Sequence, residues 1–183
     1  STVAAYAINE KTQIKSPTVK GTFVKIPQHF SVQYITNYNN QYTGGGAHAL
    51  VDGLHGGTDF RTGMWQGWWG ENMVLLVDLG KSTVIDTVGG EFLQDIRSWI
   101  WMPGSVQVEV SADGKNFTLL TTIQNTVPGD NYDSKEIKTF LQQVPPTEAR
   151  YVKFTAVNAG PVPDWHPGKG GKSWVFCDEI WVK

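Results

Sequence analysis

The sequence contains many short apolar runs with a two-residue period and no long stretch with the apolar spacing of an amphipathic helix. The clearest run, 106–110, alternates apolar and polar residues as a half-buried antiparallel strand does. Asp113-Gly114 follows it, and a second apolar run begins at Phe117, which is typical of a hairpin. Many short strands with turns between them predict an all-β antiparallel β-sandwich of the jelly-roll kind. The predicted strands are 21–26, 31–36, 73–79, 82–88, 105–111, 117–123, 135–141, 150–157 and 174–182.

Length and composition indicate an ordinary globular domain. The 183 residues are 40% hydrophobic and 17% charged, which fits one domain with one core. The formal net charge of -2 provides no basic field for nucleic acid, so that class of partner is set aside. The single cysteine, Cys177, excludes an internal disulfide framework. No apolar stretch approaches the roughly 20 residues of a membrane-spanning helix.

Residues 1–30 differ from the remainder of the chain. Their lysines are scattered among Thr, Val and Ile without strong turn signals. We interpret 1–30 as an initial strand or as the tail of a preceding domain, and 31–183 as the β-sandwich module. The chain begins with Ser and not Met, which suggests a piece of a longer or processed protein.

A long glycine-rich segment, 37–72, shows no sustained strand pattern. Loops of this length are uncommon in compact domains unless they are functional or tied down. Ordering it would cost about 1–2 kcal/mol per residue, with little apolar burial expected in return. Asp52, Thr58 and Asp59 lie among its glycines, and a hard cation prefers such carboxylate and carbonyl oxygens. The alternative is a surface loop whose Asp residues cap turns, and composition leaves both open.

Two histidines in the same segment raise the question of a transition metal. His48 and His55 lie on either side of Asp52. No third His or Cys is close in the sequence, so zinc is poorly supported at this stage.

Four segments carry a family resemblance, and they occur in the family's order. They are ALVDGLHGGTDFRTGMWQGWWGENMVLLVDLG, FLQDIRSWIWMPGSVQVEVSADGKNF, ARYVKFTAVNAG and WVFCDEIWV, at 49–80, 92–117, 149–160 and 174–182. Together they resemble the coagulation factor 5/8 type C, or discoidin, domain, a fold shared with family 32 carbohydrate-binding modules. The "LVDG…GG" and "WQG" variant is similar to the C-terminal module of bacterial chitobiases and β-N-acetylhexosaminidases. The eukaryotic members' terminal cysteine pair is absent, which favours the bacterial branch.

The resemblance implies a structural calcium ion, Ca²⁺, that ties the long loop to the last strand. The implied ligands are the carboxylates of Asp52 and Glu179, the hydroxyl and carbonyl of Thr58, and the carbonyls of Ala49, Leu54 and Asp178. The gap from Asp52 to Thr58 is one residue longer than the family's common spacing. Carbonyls of Gly56 or Gly57 are therefore alternatives to Leu54 and Thr58.

Three loops carry the groups that bind sugars, which are aromatic faces for C–H surfaces and planar polar groups for hydroxyls. The sugar-binding candidates are Trp165, His166, Trp69, Trp101, Arg97, Arg61 and Asp164. Each has a structural alternative. At least one of Trp99 and Trp101 is expected in the core. His166 could bond a nearby carbonyl, and Arg97 could pair with Asp95 or Glu91 as support.

The resemblance implies a non-catalytic carbohydrate-binding module of a bacterial glycoside hydrolase of the chitobiase/β-hexosaminidase type. It would bind a galactose- or N-acetylhexosamine-type sugar at the loop tips, as a monomeric module next to a catalytic domain. The setting would be the periplasm, the cell surface or the cell exterior. No nucleophile elbow, phosphate loop or metalloprotease helix is present in the sequence. Two alternatives stay open, a structural accessory domain without ligand and an adhesion module for protein or lipid head groups.

Overall fold

The computed structural model describes residues 2–22 and 30–183. Strands dominate it, and short 3-10 helices occur at Ala49–Val51, Phe60–Thr62 and Ile96–Ser98. The strands are β1 (Thr2–Ala5), β2 (Val19–Thr22), β3 (Ser31–Tyr34), β4 (Gln66–Trp69), β5 (Met73–Asp95), β6 (Ser105–Ser111), β7 (Thr118–Gln124), β8 (Lys135–Val157) and β9 (Trp174–Val182). All the pairings between these strands are antiparallel. The predicted all-β sandwich is confirmed.

Two strands of 23 residues, β5 and β8, pass through both layers of the sandwich. The first layer has the order β3, first half of β5, second half of β8, β6 and β7. The second layer has the order β4, β9, second half of β5 and first half of β8. Register shifts between Asp78 and Thr83 and between Ile85 and Thr87 interrupt the pairing where the strands change layer. The predicted strands 73–79 and 82–88 are therefore parts of one strand, β5. The predicted strands 135–141 and 150–157 are likewise parts of one strand, β8.

Local sequence explains the strands that were predicted. At the start of β5, Met73, Leu75 and Val77 are buried while the residues between them are only partly buried. The hairpin of β6 and β7 turns at Asp113, whose Oδ1 accepts hydrogen bonds from the amides of Lys115 and Asn116. Apolar side chains of both layers meet in a single core, which includes Leu75, Val108, Phe154, Phe92, Phe140, Val175 and Ile180.

The glycine-rich segment is better packed than its sequence suggests. Trp65 is fully buried in a second apolar cluster with Phe60, Leu93, Ile100 and Phe176. Its Nε1 donates to the carbonyl of Gly57 at 2.9 Å. The expectation of little apolar burial in this segment was wrong, because Phe60 and Trp65 reach the end of the second layer and Leu50 and Trp68 join the main core.

Strand β4 lies inside the segment for which no strand was predicted. Gln66, Gly67 and Trp68 are all buried, so the strand shows no alternation of apolar and polar residues. The Gln66 amide donates to the carbonyls of Thr43 at 3.1 Å and Gly46 at 2.8 Å. Because this buried residue is polar and has its hydrogen bonds satisfied, β4 lacks the alternation of apolar and polar residues by which the other strands were predicted.

The amino-terminal residues form a two-stranded sheet of their own, with Thr2 opposite Thr22 and Ala5 opposite Val19. The interpretation of 1–30 as a separate leading segment stays a prediction, and 23–29 lie outside the described residues. In the described part of the chain, no helix has the length and apolarity needed to cross a bilayer.

Close strand packing predicts a strong effect of a methyl group at Gly89, in the centre of the second layer. A Cβ there would lie 2.0 Å from the Phe140 carbonyl oxygen, whereas at Gly104 the nearest atom is 3.9 Å away. Gly89→Ala should lower the free energy of unfolding by about 1–3 kcal/mol, as overpacked sites do. Gly104→Ala is the matched control. Equal urea midpoints for the two variants would show that the layer is not packed this closely.

Candidate functional site

A β-bulge in β9 brings two adjacent carboxylates to one place. Glu179 pairs with Glu91 of β5, but the next pair is Cys177 with Phe92, so Asp178 is the extra residue. A bulge redirects side chains that would otherwise alternate between faces. Asp178 and Glu179 are both buried, with only 1% and 6% of their surfaces exposed.

The glycine-rich loop covers these carboxylates and donates backbone N–H groups to them. The amide of Gly53 donates to Glu179 Oε2 at 3.0 Å, and that of Gly56 to Asp178 Oδ2 at 2.6 Å. Asp52 accepts from the Leu54 amide at 2.8 Å. The sequence prediction that the loop meets the last strand is thus reproduced in the contacts between 52–56 and 178–179.

Burial makes this group of acids electrostatically unfavourable. It raises the pKa of Asp178 to about 7, with a smaller contribution from the charge of Glu91. Burial likewise raises the pKa of Glu179 to about 7, with a smaller contribution from the charge of Asp52. The pKa of Asp52 itself is raised from its ordinary value, again mainly by burial. A carboxylate removed from water favours its neutral form unless a positive charge compensates it.

One oxygen at this place has no partner. Asp178 Oδ1 is buried and makes no hydrogen bond with any described residue. A buried acceptor left unsatisfied costs about 1–3 kcal/mol. A positive charge close to Asp178 would satisfy this oxygen. The neighbouring Asp52 and Glu179 carboxylates, whose pKa values burial also raises, are the oxygen ligands that a hard divalent cation such as calcium takes. These two residues therefore fit the ion that the resemblance implies.

The other candidate calcium ligands have less support from their burial and contacts. Ala49 is buried in its 3-10 helix, whereas Leu54 and Thr58 are exposed. The carbonyl of Gly57, an alternative ligand, already accepts the Trp65 indole N–H. Asp59 caps the 3-10 helix Phe60–Thr62 through the Arg61 amide, as the turn-capping alternative proposed.

His166 is the centre of an aromatic cluster, here called the His166 cluster, which contains Trp99, Trp101, Tyr132, Trp165 and His166. The four rings lie with their centroids 5.1–6.4 Å from the imidazole. His166 is buried, and its Nδ1 accepts from the Gly168 amide at 3.0 Å. Its Nε2 must then carry the proton and donates to the Ile96 carbonyl at 3.1 Å. With both nitrogens engaged, the imidazole is a neutral support for the rings and not a group facing the solvent.

The exposed rings of the cluster are Trp165, Tyr132 and Trp99, at 46%, 39% and 36%. Trp101 is only 6% exposed and donates its indole N–H to the Gly129 carbonyl at 3.0 Å. The expectation that one of Trp99 and Trp101 belongs to the core is met by Trp101. Trp99 and Tyr132 are the exposed rings of the cluster that the predicted sugar set does not contain.

The position of Trp99 depends on its backbone and on two glycines. Its φ of 64° is left-handed, unusual for a residue with a side chain. The ring packs over the loop 161–172, where a Cβ on Gly168 would lie 2.4 Å from it and one on Gly171 2.9 Å. The glycines at 168 and 171 were therefore an indication in the sequence that a large ring packs against this loop.

Both predicted arginines line one pocket of about 400 Å³, here called the arginine pocket. Its lining consists of Arg61, Asp95, Arg97, Ser98, Asp133 and Lys135. Arg97 lies 5.2 Å from the Tyr132 ring centroid and so connects the pocket to the His166 cluster. The expected partners of Arg97, Asp95 and Glu91, were wrong. Asp133 pairs with Arg97 instead, because the 131–134 turn approaches it, and Asp95 pairs with Lys135 at 3.0 Å.

Trp69 lies at a different pocket, of about 460 Å³, with Asn37, Tyr38, Asn39, Asn40 and Glu71. The ring is 47% exposed and stacks on Trp174 with centroids 5.9 Å apart. Asp164 is exposed beside Trp165. The predicted sugar residues are thus divided between the Trp69 pocket and the region of Arg61, Arg97 and Trp165.

Comparison with known proteins identifies the kind of domain. The family described as F5/8 type C domain matches residues 31–180, and no curated protein sequence matches this chain. A Bacteroides thetaiotaomicron fragment assigned as a chitobiase is 19% identical, with a TM-score of 0.53, covering 83% of this chain and 87% of the fragment. The Clostridium perfringens module CpGH89CBM32-5, solved with GalNAc-beta-1,3-galactose, is 18% identical, with a TM-score of 0.50, covering 84% and 94%. Chitosan-binding module 1 from a Paenibacillus sp. IK-5 chitosanase/glucanase is 15% identical, with a TM-score of 0.52, covering 86% and 97%.

The buried acids predict an unusual dependence of stability on pH in the metal-free protein. The pKa values of Asp178 and Glu179 are about 7 in the folded state, above the ordinary 3.8 and 4.5, so the folded state binds more protons. Their stabilising contribution is complete below about pH 4 and is lost as the pH rises through 7. With chelator present, the urea midpoint should fall from pH 5 to pH 8.

The matched variant for this test is the double substitution Asp178→Asn with Glu179→Gln, which should flatten the profile between pH 5 and pH 8. A midpoint that rises over this interval in the unsubstituted protein would contradict the burial of the two acids.

Proposed function

Because the chain belongs to the F5/8 type C domain family, we propose that it is a non-catalytic carbohydrate-binding module. One observation carries the proposal, which is that the arginine pocket adjoins the exposed rings of the His166 cluster through Arg97 and Tyr132. A sugar is held by an aromatic face against its C–H surface and by a few planar polar groups at its hydroxyls. The rings and the pocket supply both.

In this proposal Trp165 and Trp99 supply ring faces, and the two arginines bind hydroxyls. Arg97 is already held by Asp133 and by the Tyr132 ring, so binding costs it little further conformational freedom. The Arg61 guanidinium lies 3.4 Å from the Asp59 carboxylate, and both side chains are exposed. Water therefore weakens the attraction between them. Its guanidinium can therefore turn toward a ligand at small cost.

The charged groups of the pocket are paired with one another. Asp95 is paired with Lys135 and Asp133 with Arg97. These ion pairs hold the charged side chains in place around the pocket, which supports a binding role.

We propose a galactose- or N-acetylhexosamine-type ligand and a parent glycoside hydrolase of the chitobiase/β-hexosaminidase type. Supporting this are the GalNAc-containing disaccharide on the Clostridium perfringens module and the assignment of the Bacteroides thetaiotaomicron fragment. The module would be monomeric and would hold the neighbouring catalytic domain close to its substrate in the periplasm or outside the cell.

We also propose that Ca²⁺ stabilises the loop over β9. The ligands would be the Asp52 and Glu179 carboxylates with the carbonyls of Ala49 and Asp178, and Leu54 and Thr58 would complete the set. Asp52 lies close enough to Glu179 for its charge to raise the Glu179 pKa, and Glu179 Oε2 accepts the Gly53 amide. Neither acid forms an ion pair with a Lys or Arg among the described residues. A bound divalent ion would compensate the buried charge.

The sugar proposal predicts millimolar or tighter binding of galactose, N-acetylgalactosamine or N-acetylglucosamine in calorimetric titrations. Trp165→Ala and Arg97→Ala should each weaken it by about tenfold or more, equivalent to roughly 1.4 kcal/mol. Trp69→Ala, which removes an equally exposed ring at the other pocket, is the matched control and should leave the affinity unchanged.

Other outcomes point to other functions. Binding lost only in Trp69→Ala would move the site to the Trp69 pocket. No saccharide binding at millimolar concentration would favour a structural accessory domain, and binding to lipid vesicles or a protein partner would favour adhesion. Circular dichroism of each variant separates loss of a contact from loss of the fold.

The calcium proposal predicts a higher melting temperature with added Ca²⁺ than with chelator, because a ligand of the folded state stabilises it by mass action. At one hundred times its dissociation constant, the ion would add about 2.7 kcal/mol. Asp52→Asn should abolish the shift, and Asp86→Asn, an exposed acid on β5, should retain it. A chelator-insensitive melting curve would remove calcium from the proposal.

A further inference from the structure

A histidine of the glycine-rich loop meets two carboxylates that are distant in sequence. One ligand atom each from His55, Glu91 and Asp178 lies within 4.8 Å of the other two. His55 Nδ1 and Glu91 Oε1 are 2.9 Å apart. These three side chains come from the loop, from β5 and from the bulge of β9, and none of them is a side-chain ligand of the proposed calcium ion.

We propose that His55, Glu91 and Asp178 bind a divalent transition-metal ion of the zinc class, at a site additional to the calcium site. Imidazole nitrogen with carboxylate oxygen is a ligand set for zinc and its neighbours, whereas calcium takes oxygen ligands. At the tetrahedral angle, two ligands about 2.0–2.1 Å from one zinc ion lie about 3.3–3.4 Å apart. The His55–Glu91 separation of 2.9 Å is that of a hydrogen bond, so the two atoms would move apart by about 0.4–0.5 Å when the ion replaces the shared proton.

The buried Asp178 carboxylate is the independent indication of a ligand. It is 1% exposed, it reaches into the cluster, and its Oδ1 has no partner among the described residues. An ion pair between His55 and Glu91 alone would leave this oxygen unsatisfied. In the proposed site Oδ1 is the ligand atom of Asp178, because Oδ2 already accepts the Gly56 amide, and the metal ion would satisfy it.

Each of the three groups is oriented by a second contact, as metal ligands in proteins usually are. The His55 ring stacks on Trp181 at a centroid distance of 5.9 Å and an angle of 19°. Glu91 Oε2 accepts from the Thr139 hydroxyl at 2.8 Å, and Asp178 Oδ2 from the Gly56 amide.

His55 is the solvent-facing member of the site. The His55 side chain is half exposed, while Glu91 is 15% exposed. An ion can therefore enter from the solvent past the imidazole, and water can complete a four-coordinate shell.

The site would also tie down the loop. His55 lies in it between Asp52 and Thr58. An ion at this place would join the loop to both β5 and β9. Both proposed ions would therefore stabilise this loop, calcium through Asp52 and Glu179 and the zinc-class ion through His55.

The test is calorimetric titration of the chelator-stripped full chain with Zn²⁺ in saturating Ca²⁺, so that the calcium site is filled first. We expect one Zn²⁺ per chain, and His55→Asn should weaken its binding by at least about tenfold. His48→Asn is the matched control, since His48 is a second exposed histidine of the same loop without a side-chain cap hydrogen bond. It should bind Zn²⁺ like the unsubstituted protein.

Visible absorption of Co²⁺ provides a second readout, and its d–d bands should disappear in His55→Asn. The Ca²⁺-dependent rise in melting temperature should persist in His55→Asn, and Zn²⁺ binding should persist in Asp52→Asn, so the two metal proposals fail separately. Stoichiometric Zn²⁺ binding that survives His55→Asn, or no Zn²⁺ binding by the folded unsubstituted protein, would overturn the proposal.

Discussion

The burial of Asp178 and Glu179 beneath the glycine-rich loop is the constraint on which the rest of the site depends. Two adjacent carboxylates enter the interior because a bulge turns both toward the loop. Backbone amides of Gly53 and Gly56 satisfy one oxygen of each, but they bring no net positive charge. The loop therefore gains its position from hydrogen bonds while creating an electrostatic cost, and a divalent cation is the simplest group that removes this cost.

The His166 cluster, in contrast, is organised by hydrogen bonds to a neutral side chain. There the central group is neutral, because His166 donates from one ring nitrogen and accepts at the other. Its role is to keep Trp99, Tyr132 and Trp165 at fixed angles while part of each ring faces solvent. A pre-arranged aromatic surface loses little conformational entropy on binding a sugar, which is what a weak, reversible binding module requires.

The acidic group and the His166 cluster share the loop and the second layer. Trp65 anchors the loop in an apolar cluster with Phe176 of β9. In the same strand, the main chain of Trp174 donates to the Trp99 carbonyl and accepts from the Trp101 amide. Strand β9 thus supports the acidic group at one point and the aromatic rings at another. Metal binding and sugar binding would then contribute to one function, in which the ions stabilise the domain and the rings hold the ligand.

Several features of this protein follow from the sequence by itself. The period-two runs determined the β-sandwich and the Asp113-Gly114 turn determined a hairpin. The resemblance carried by the LVDG and DEI segments implied that the loop around Asp52 approaches Glu179. These signals are local, or belong to a pattern that survives in order along the chain. Strand β4 gave no such signal, because Gln66 is buried with its hydrogen bonds satisfied by distant carbonyls.

Only the tertiary structure decided which rings face the solvent and which acids meet His55. Trp99 and Trp101 are two residues apart, yet a left-handed backbone at Trp99 sends one ring outward and leaves the other in the core. Glu91 and Asp178 join His55 across 36 and 123 residues, since strand pairing and one bulge determine which side chains lie side by side. Such contacts depend on register and on backbone torsion, which residue types along the chain do not encode locally.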